Sequence, residues 1–132
     1  MINKSAAIII KNRSVLYLRK RGLLFYILPG GKIEKGETET ESLEREMMEE
    51  LRTRITIGEK IAVVRGKTFN KSLDRLESIR MVLYRTRTKD PLKPSREIFD
   101  KTYIKYKNIH QYLLTPVGIA TIELLHERGL ID

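Results

Sequence analysis

The sequence contains no cysteine, which excludes a disulfide framework, a thiolate nucleophile and a cysteine-built zinc site. Histidine is nearly as scarce. His110 and His126 are the only two, too far apart in sequence for a His-rich metal site. No apolar run approaches the roughly 20 residues of a membrane-spanning helix. The opening stretch, residues 1–22, is broken by charge too early for a secretory signal, and its alternation reads as strand. A cytoplasmic, reducing location is therefore expected. Internal repeats, low-complexity tracts and linker-like segments are missing too. The 132 residues are expected to form one domain, 1–132, around one core.

What is abundant is charge, and it is unevenly placed. Charged residues make up 33% of the chain and hydrophobic ones 41%, an ordinary globular balance, with a net charge of +9. Residues 1–36 hold eight Lys/Arg against one Glu, and residues 52–132 hold seventeen Lys/Arg against nine Asp/Glu. Between them, residues 37–51 hold seven Glu and a single cation, Arg45. Like charges at helical spacing repel and weaken the helix that carries them. The plain reading is a solvated acidic helix. The functional reading is a bound cation, set in a basic surface that attracts phosphates.

Pattern places these residues on elements. The β-branched and aliphatic runs at 5–10 and 14–20, separated by "KNR", suggest a hairpin. A third short strand is expected at 23–28, stopped by "PGG". Good helix formers then run from Glu39 to Leu51, with Thr38 as N-cap and Glu41 completing a capping box. Strands are expected at 60–69, 78–87 and 102–109, with a Pro-containing loop at 89–97. A C-terminal helix at about 116–128 is marked by Thr115 as cap, Pro116 in its first turn and Gly129 as its stop. The expected class is α/β with mixed strand directions.

The helix at 39–51 carries the chemistry. At roughly 100° per residue, Glu46, Glu49 and Glu50 fall within an arc of about 100°. Leu43, Met47 and Leu51 form an adjacent apolar stripe that can dock on a sheet. Three carboxylates on one rigid element suit Mg²⁺ or Mn²⁺, which prefer hard oxygen ligands. Upstream, "PGGKIEKGE" offers a Gly-rich turn where backbone can approach an ion or phosphate. Glu37 and Arg45 are placed to form an ion pair that braces this loop against the helix.

Read together, Gly31, five residues, Glu37, seven residues and "REMMEE" from Arg45 to Glu50 resemble the Nudix box of the Nudix hydrolases. The box pattern ends with any residue, Gly and an apolar residue, where this chain has Leu51, Arg52 and Thr53. That departure touches helix termination and leaves the carboxylates in place. The resemblance implies an α/β/α sandwich with a mixed β-sheet. It implies a divalent-metal-dependent pyrophosphohydrolase acting on a nucleoside diphosphate linked to another group. Glu46, Glu49 and Glu50 would then be the metal ligands and catalytic carboxylates, with the Gly31 carbonyl contributing. Glu97 or Asp100 would be a further acidic ligand from a later loop. The ADP-ribose type typically has a Pro beyond the box and the dinucleoside-polyphosphate type a Tyr. This chain has no Pro between Pro29 and Pro91 and no Tyr between Tyr26 and Tyr84. The coenzyme A signature is not evident, so a nucleoside triphosphate or related nucleotide is the expected substrate.

Further candidates are less specific. Arg19, Lys20 and Arg21 could meet a phosphate or simply solubilise an edge strand. Arg65, Phe69, Arg80 and Tyr84 could clasp phosphate or stack on a base, though such aromatics usually belong to the core. His110 and His126 read as structural. A non-catalytic Nudix fold that holds a nucleotide or RNA is the rival function. Dispersed basic residues with few interleaved aromatics make nucleic acid the less favoured partner, and a pure binding module has no need of three metal-facing carboxylates. Isomerase chemistry on a prenyl diphosphate normally uses a cysteine, which is absent here. A homodimer is left open.

Overall fold

The computed structural model describes residues 1–132. Its elements run in the order β1 (Ile2–Ile8), β2 (Ile10–Lys11), β3 (Ser14–Lys20), β4 (Tyr26–Ile27), β5 (Gly30–Lys32), α1 (Glu39–Leu51), β6 (Ile55–Asn70), β7 (Arg75–Thr88), β8 (Ile98–Ile104) and α2 (Pro116–Glu127). A 3-10 turn, Tyr106–Gln111, precedes α2. The architecture is mixed α/β. One sheet has the order β5-β1-β7-β6, with β1 parallel to β7 and the other pairs antiparallel. The second is built on β3, which pairs with β8 on one side and with β2 and β4 on the other.

The continuous apolar runs are explained by burial on both faces. Along β1 and β3, Ala6, Ile8, Val15 and Tyr17 enter one core with Val117, Ile122 and Leu125 of α2. Their neighbours Ala7, Ile9, Leu16 and Leu18 enter another with Leu43, Met47 and Leu51 of α1. Strands buried on two sides lose the polar alternation of a half-exposed sheet. Each helix thus covers its own side, the expected α/β/α arrangement. Tyr17 is fully buried, and its hydroxyl donates to the Gly118 carbonyl at 2.9 Å, satisfying its one donor.

The structure corrects several boundaries. The run at 5–10 is not one arm of a hairpin. Residues 2–8 pair in the first sheet, and only Ile10 and Lys11 turn back on β3 through Asn12 and Arg13, both at positive φ. The strand expected at 23–28 shrinks to Tyr26–Ile27, because Leu23, Leu24 and Phe25 lie in a loop with Leu24 largely exposed. "PGG" does more than stop a strand, since Gly30–Lys32 pair with β1. The strand expected at 102–109 begins at Ile98 and ends at Ile104, where the chain enters the 3-10 turn.

Helix α1 keeps its expected bounds. The Thr38 hydroxyl accepts from Glu41 N–H at 3.1 Å, and Glu41 accepts from Thr38 N–H at 2.9 Å. The helix ends at Arg52, left-handed with φ 50° and ψ 39°, whose N–H bonds the Met48 carbonyl. That is where the box pattern places glycine, and an L side chain is strained there. Thr53 replaces the apolar residue of the pattern. It is fully buried, with its hydroxyl donating to the Arg54 carbonyl at 2.9 Å and accepting from Asp90 N–H at 3.3 Å. Arg52→Gly should therefore stabilise the fold by about 0.5–1 kcal/mol, the relieved strain less the added freedom of the unfolded chain. Urea denaturation of both proteins checks it, with an unchanged or lower midpoint as the contrary result.

Candidate active site

Beside α1 lies a cleft of about 500 Å³. Its lining includes Gly30, Gly31, Lys4, Lys20, Lys32, Glu34 and Glu46, together with Phe25 and Phe69. The two rings stack on each other with centroids 5.4 Å apart. Chain topology explains the meeting: β1 and β5 pair side by side, and the C-terminus of α1 returns over them.

Glu50 is the innermost carboxylate, its side chain only 1% exposed. Oε1 accepts from Gly30 N–H at 2.9 Å. Lys20 Nζ stands 3.0 Å from Oε2, close enough for an ion pair but off the direction of a hydrogen bond, so Oε2 has no donor. Burial pushes the Glu50 carboxyl above its ordinary range, and the attraction of Lys20 and Lys4 offsets part of that. For Lys20, burial alone would lower the ammonium's pKa, but Glu50 outweighs it and the net shift is upward. The two partners' shifts pull in opposite senses. The short separation beside a second cation decides for the charged pair. Lys4, partly exposed as a whole residue but enclosed around its ammonium, donates to the Leu28 carbonyl at 3.1 Å. Burial, aided by Lys20, lowers its pKa to about 8 against the pull of Glu50 and Glu46.

Arg45 gathers the remaining acids. Its Nε and Nη2 hold both oxygens of Glu37 at 2.7 and 3.0 Å, a bidentate clamp. Nη1 reaches Glu46 at 2.8 Å and Glu49 at 3.4 Å, and Nη2 also donates to the Lys32 carbonyl at 3.2 Å. The Glu37 carboxyl is held below its usual range by Arg45, with help from Glu34 N–H. Loop 32–37 is thus tied to the acidic helix through one guanidinium. Gly31 backs Glu46 so closely that a Cβ there would overlap the Glu46 carboxyl group.

The three helix carboxylates do not converge. Glu46 and Glu49 turn to Arg45, Glu49 with its side chain 55% exposed, and Glu50 turns inward to Gly30 and Lys20. As placed, no three Asp, Glu and His side chains gather around one point. Glu97 is exposed on the loop beside Lys20, close enough to act on its charge. Asp100 is engaged elsewhere, accepting from the Tyr26 hydroxyl at 2.6 Å.

Arg19, Arg65, Arg80 and Tyr84 all fall outside the cleft lining. Arg19 donates to the Leu23 carbonyl at 3.0 Å and covers the Phe99 ring. Arg65 and Arg80 are cross-strand partners on the sheet face opposite Val64 and Met81, with Arg80 3.7 Å from Glu39. The Tyr84 hydroxyl donates to Glu39 at 2.7 Å, and burial, then Glu39, pushes it up to about 12. Lys4 and Phe25 take their place at the cleft. Lys4 was readable: it interrupts the inward row Ile2, Ala6, Ile8 of β1. Phe25 carries no such signal. His110 and His126 are away from the cleft, His126 stacked on Tyr106.

An acidic helix set against a lysine-lined cleft, in a mixed α/β fold, defines a protein built to handle phosphates. The NUDIX domain model matches residues 1–124, and the chain belongs to the Nudix family. It is thereby placed among hydrolases acting on phosphoric anhydrides. No curated protein matches the sequence. Similar solved structures include the E. coli ORF135 protein, at 24% identity and TM-score 0.77, with 98% of this chain and 91% of that one covered. A MutT protein from Methanosarcina mazei Go1 is 18% identical with TM-score 0.74 over 97% and 94% of the two chains. A UDP-X diphosphatase is 21% identical with TM-score 0.77, and 97% of this chain covers 63% of that longer one. At these identities the likeness is one of fold. No helix is long and apolar enough to cross a membrane.

Proposed function

We propose that this Nudix protein is a divalent-metal-dependent pyrophosphohydrolase that cleaves a diphosphate linkage in a small nucleotide, a nucleoside triphosphate or a close relative. The observation that carries the metal is Glu50 Oε2, a buried carboxylate oxygen without a hydrogen-bond donor, 3.0 Å from the ammonium of Lys20, which lines the cleft. Glu46, Glu49, Glu50 and the Gly31 backbone offer only hard oxygen donors, the set that Mg²⁺ or Mn²⁺ prefers. Glu97, exposed on the loop beside Lys20, is our candidate for a further ligand. Bound there, such an ion neutralises the diphosphate and lowers the pKa of a coordinated water.

The chain's own residues supply the rest. Lys4, Lys20 and Lys32 give the cleft the positive field that attracts a phosphate chain. Phe25 and Phe69, which also line the cleft, offer ring faces for a base. Glu46 is the one carboxylate of α1 lining the cleft, and we assign it the proton of the attacking water. Water oxygen then bonds to phosphorus, the anhydride P–O bond breaks, and the leaving phosphate departs with that electron pair. Arg45 holds Glu46 in orientation throughout. Hydrolysis of nucleoside triphosphates should disappear in excess chelator and return with added Mg²⁺ or Mn²⁺. Phosphate release that continues undiminished in chelator contradicts the reading.

A further inference from the structure

β3 ends in a register shift. Arg19 pairs with Asp100 but Lys20 with Ile98, so Phe99 of β8 is the extra residue opposite them. β3 itself keeps its alternation, so Lys20 shares the face of Leu16 and Leu18, which pack with Leu43, Met47 and Leu51 of α1. Arg19 goes outward to Leu23 and Phe99, while Lys20 turns in to Glu50. The result is an ammonium 3.0 Å from Oε2, the oxygen left without a donor. Lys20 keeps 27% of its side chain exposed while Glu50 keeps 1%, and Lys20 also lines the cleft with Gly31 and Glu46. It therefore has a place to go.

One oxygen cannot serve both partners. Mg²⁺ bonds oxygen at about 2.0–2.1 Å, and a cation 3.0 Å from the same oxygen repels and crowds an ion making that approach. Lysine's flexible four-carbon stem lets the charge swing without moving the backbone. Lys4 stays anchored to the Leu28 carbonyl, so the buried carboxylate keeps one nearby cation in either state. Resting on the reading of Glu50 as a metal ligand, we propose that Lys20 is an exchangeable counter-ion. It holds Glu50 Oε2 until a divalent cation takes that oxygen, and its ammonium then turns into the cleft to hold a substrate phosphate. Metal binding and phosphate binding are thereby coupled through one side chain.

The test uses Mn²⁺ alone, counted as free ion by electron paramagnetic resonance, with no turnover involved. Lys20→Met should bind Mn²⁺ about tenfold more tightly than wild type, within the usual span of coupling between sites. The same variant, loaded with Mn²⁺, should bind methylenediphosphonate about tenfold more weakly. Gains and losses of opposite sign are what a merely structural lysine would not produce. Lys20→Gln, which keeps an N–H for Oε2 without the charge, should also gain Mn²⁺ affinity and guards against a misfolded methionine variant. In a Glu50→Gln background the gain should vanish, and Lys4→Met should change Mn²⁺ binding less than threefold. An Mn²⁺ affinity for both Lys20 variants at or below wild type overturns the exchange alone. An equal gain in Lys4→Met also overturns it, reducing Lys20 to a general field effect. Failure of the wild type to bind Mn²⁺ overturns the metal site and the exchange together.

Discussion

Glutamine at position 50 should lower turnover by on the order of 10²–10³-fold. A metal ion contributes several kcal/mol to stabilising charge in the transition state, and each 1.36 kcal/mol is tenfold in rate. Glu50→Gln keeps the shape and can still accept from Gly30 N–H through its amide oxygen. It removes the charge that Lys20 and Lys4 face. Because the side chain is buried and paired, the variant should also lose stability, by about 1–3 kcal/mol. Glu49→Gln separates the two effects. Glu49 is largely exposed and meets only the edge of Arg45, so its loss should cut turnover with little change in melting. Relief of repulsion along the acidic helix favours that variant, and it should melt no lower than wild type without metal. Melting curves and steady-state rates of both variants check the split. Normal hydrolysis by either would remove that residue from the ligand set.

Alanine at position 45 should have the second largest effect. Arg45 contacts Glu37, Glu46, Glu49 and the Lys32 carbonyl at once, so its removal frees the loop and lets three carboxylates repel. Groups that orient metal ligands typically contribute 10- to 100-fold to metal affinity, and a loss of about that size is expected. Melting temperature should fall as well. Glu37→Gln should do the same more mildly, since a glutamine oxygen still accepts one of the two bonds. The double variant should cost less than the sum of the singles. Strict additivity in both melting temperature and Mg²⁺ affinity would mean that the clamp is not formed in solution, leaving Arg45 as a phosphate contact.

The helix at the centre of this account was legible because its signals are local. Thr38 and Glu41 cap it, and Leu43, Met47 and Leu51 recur on one face, so its ends could be read to the residue. The Glu37–Arg45 contact also follows from spacing along one loop and one helix. The strands were less legible. The run from Ala6 to Ile9 is apolar throughout because both its faces are buried, and such a run carries no mark of where it passes from one sheet to the other. Alternation in "TYIKYKNI" likewise continues past Ile104 into a 3-10 turn.

The substrate side of the site was read worst, for a related reason. Whether Arg65 and Arg80 face the cleft or the opposite side depends on register across β6 and β7, where two shifts intervene between Ile57 and Ala62. Lys20 meets Glu50 because it follows Leu16 and Leu18 on the face of β3 that packs on α1, and which helix covers that face is a tertiary feature. Phe25 and Phe69 meet from a short loop and a strand end more than forty residues apart in sequence, so nothing in either stretch announces the pair. Residues that act through neighbours in sequence could be given their partners; those that act across strands, such as Lys20 and Phe69, could be named but not paired.

The central claim is that this fold and these carboxylates hydrolyse a phosphoric anhydride in a nucleotide with a divalent ion. Phosphate and pyrophosphate release should be measured across a panel of nucleoside triphosphates and nucleoside diphosphate conjugates. Wild type and Glu50→Gln are prepared identically and assayed with Mg²⁺ and with chelator. The account predicts release from at least one nucleoside triphosphate by wild type with Mg²⁺, with near-complete loss in chelator and in Glu50→Gln. Release from no compound, or equal release by Glu50→Gln, would contradict it.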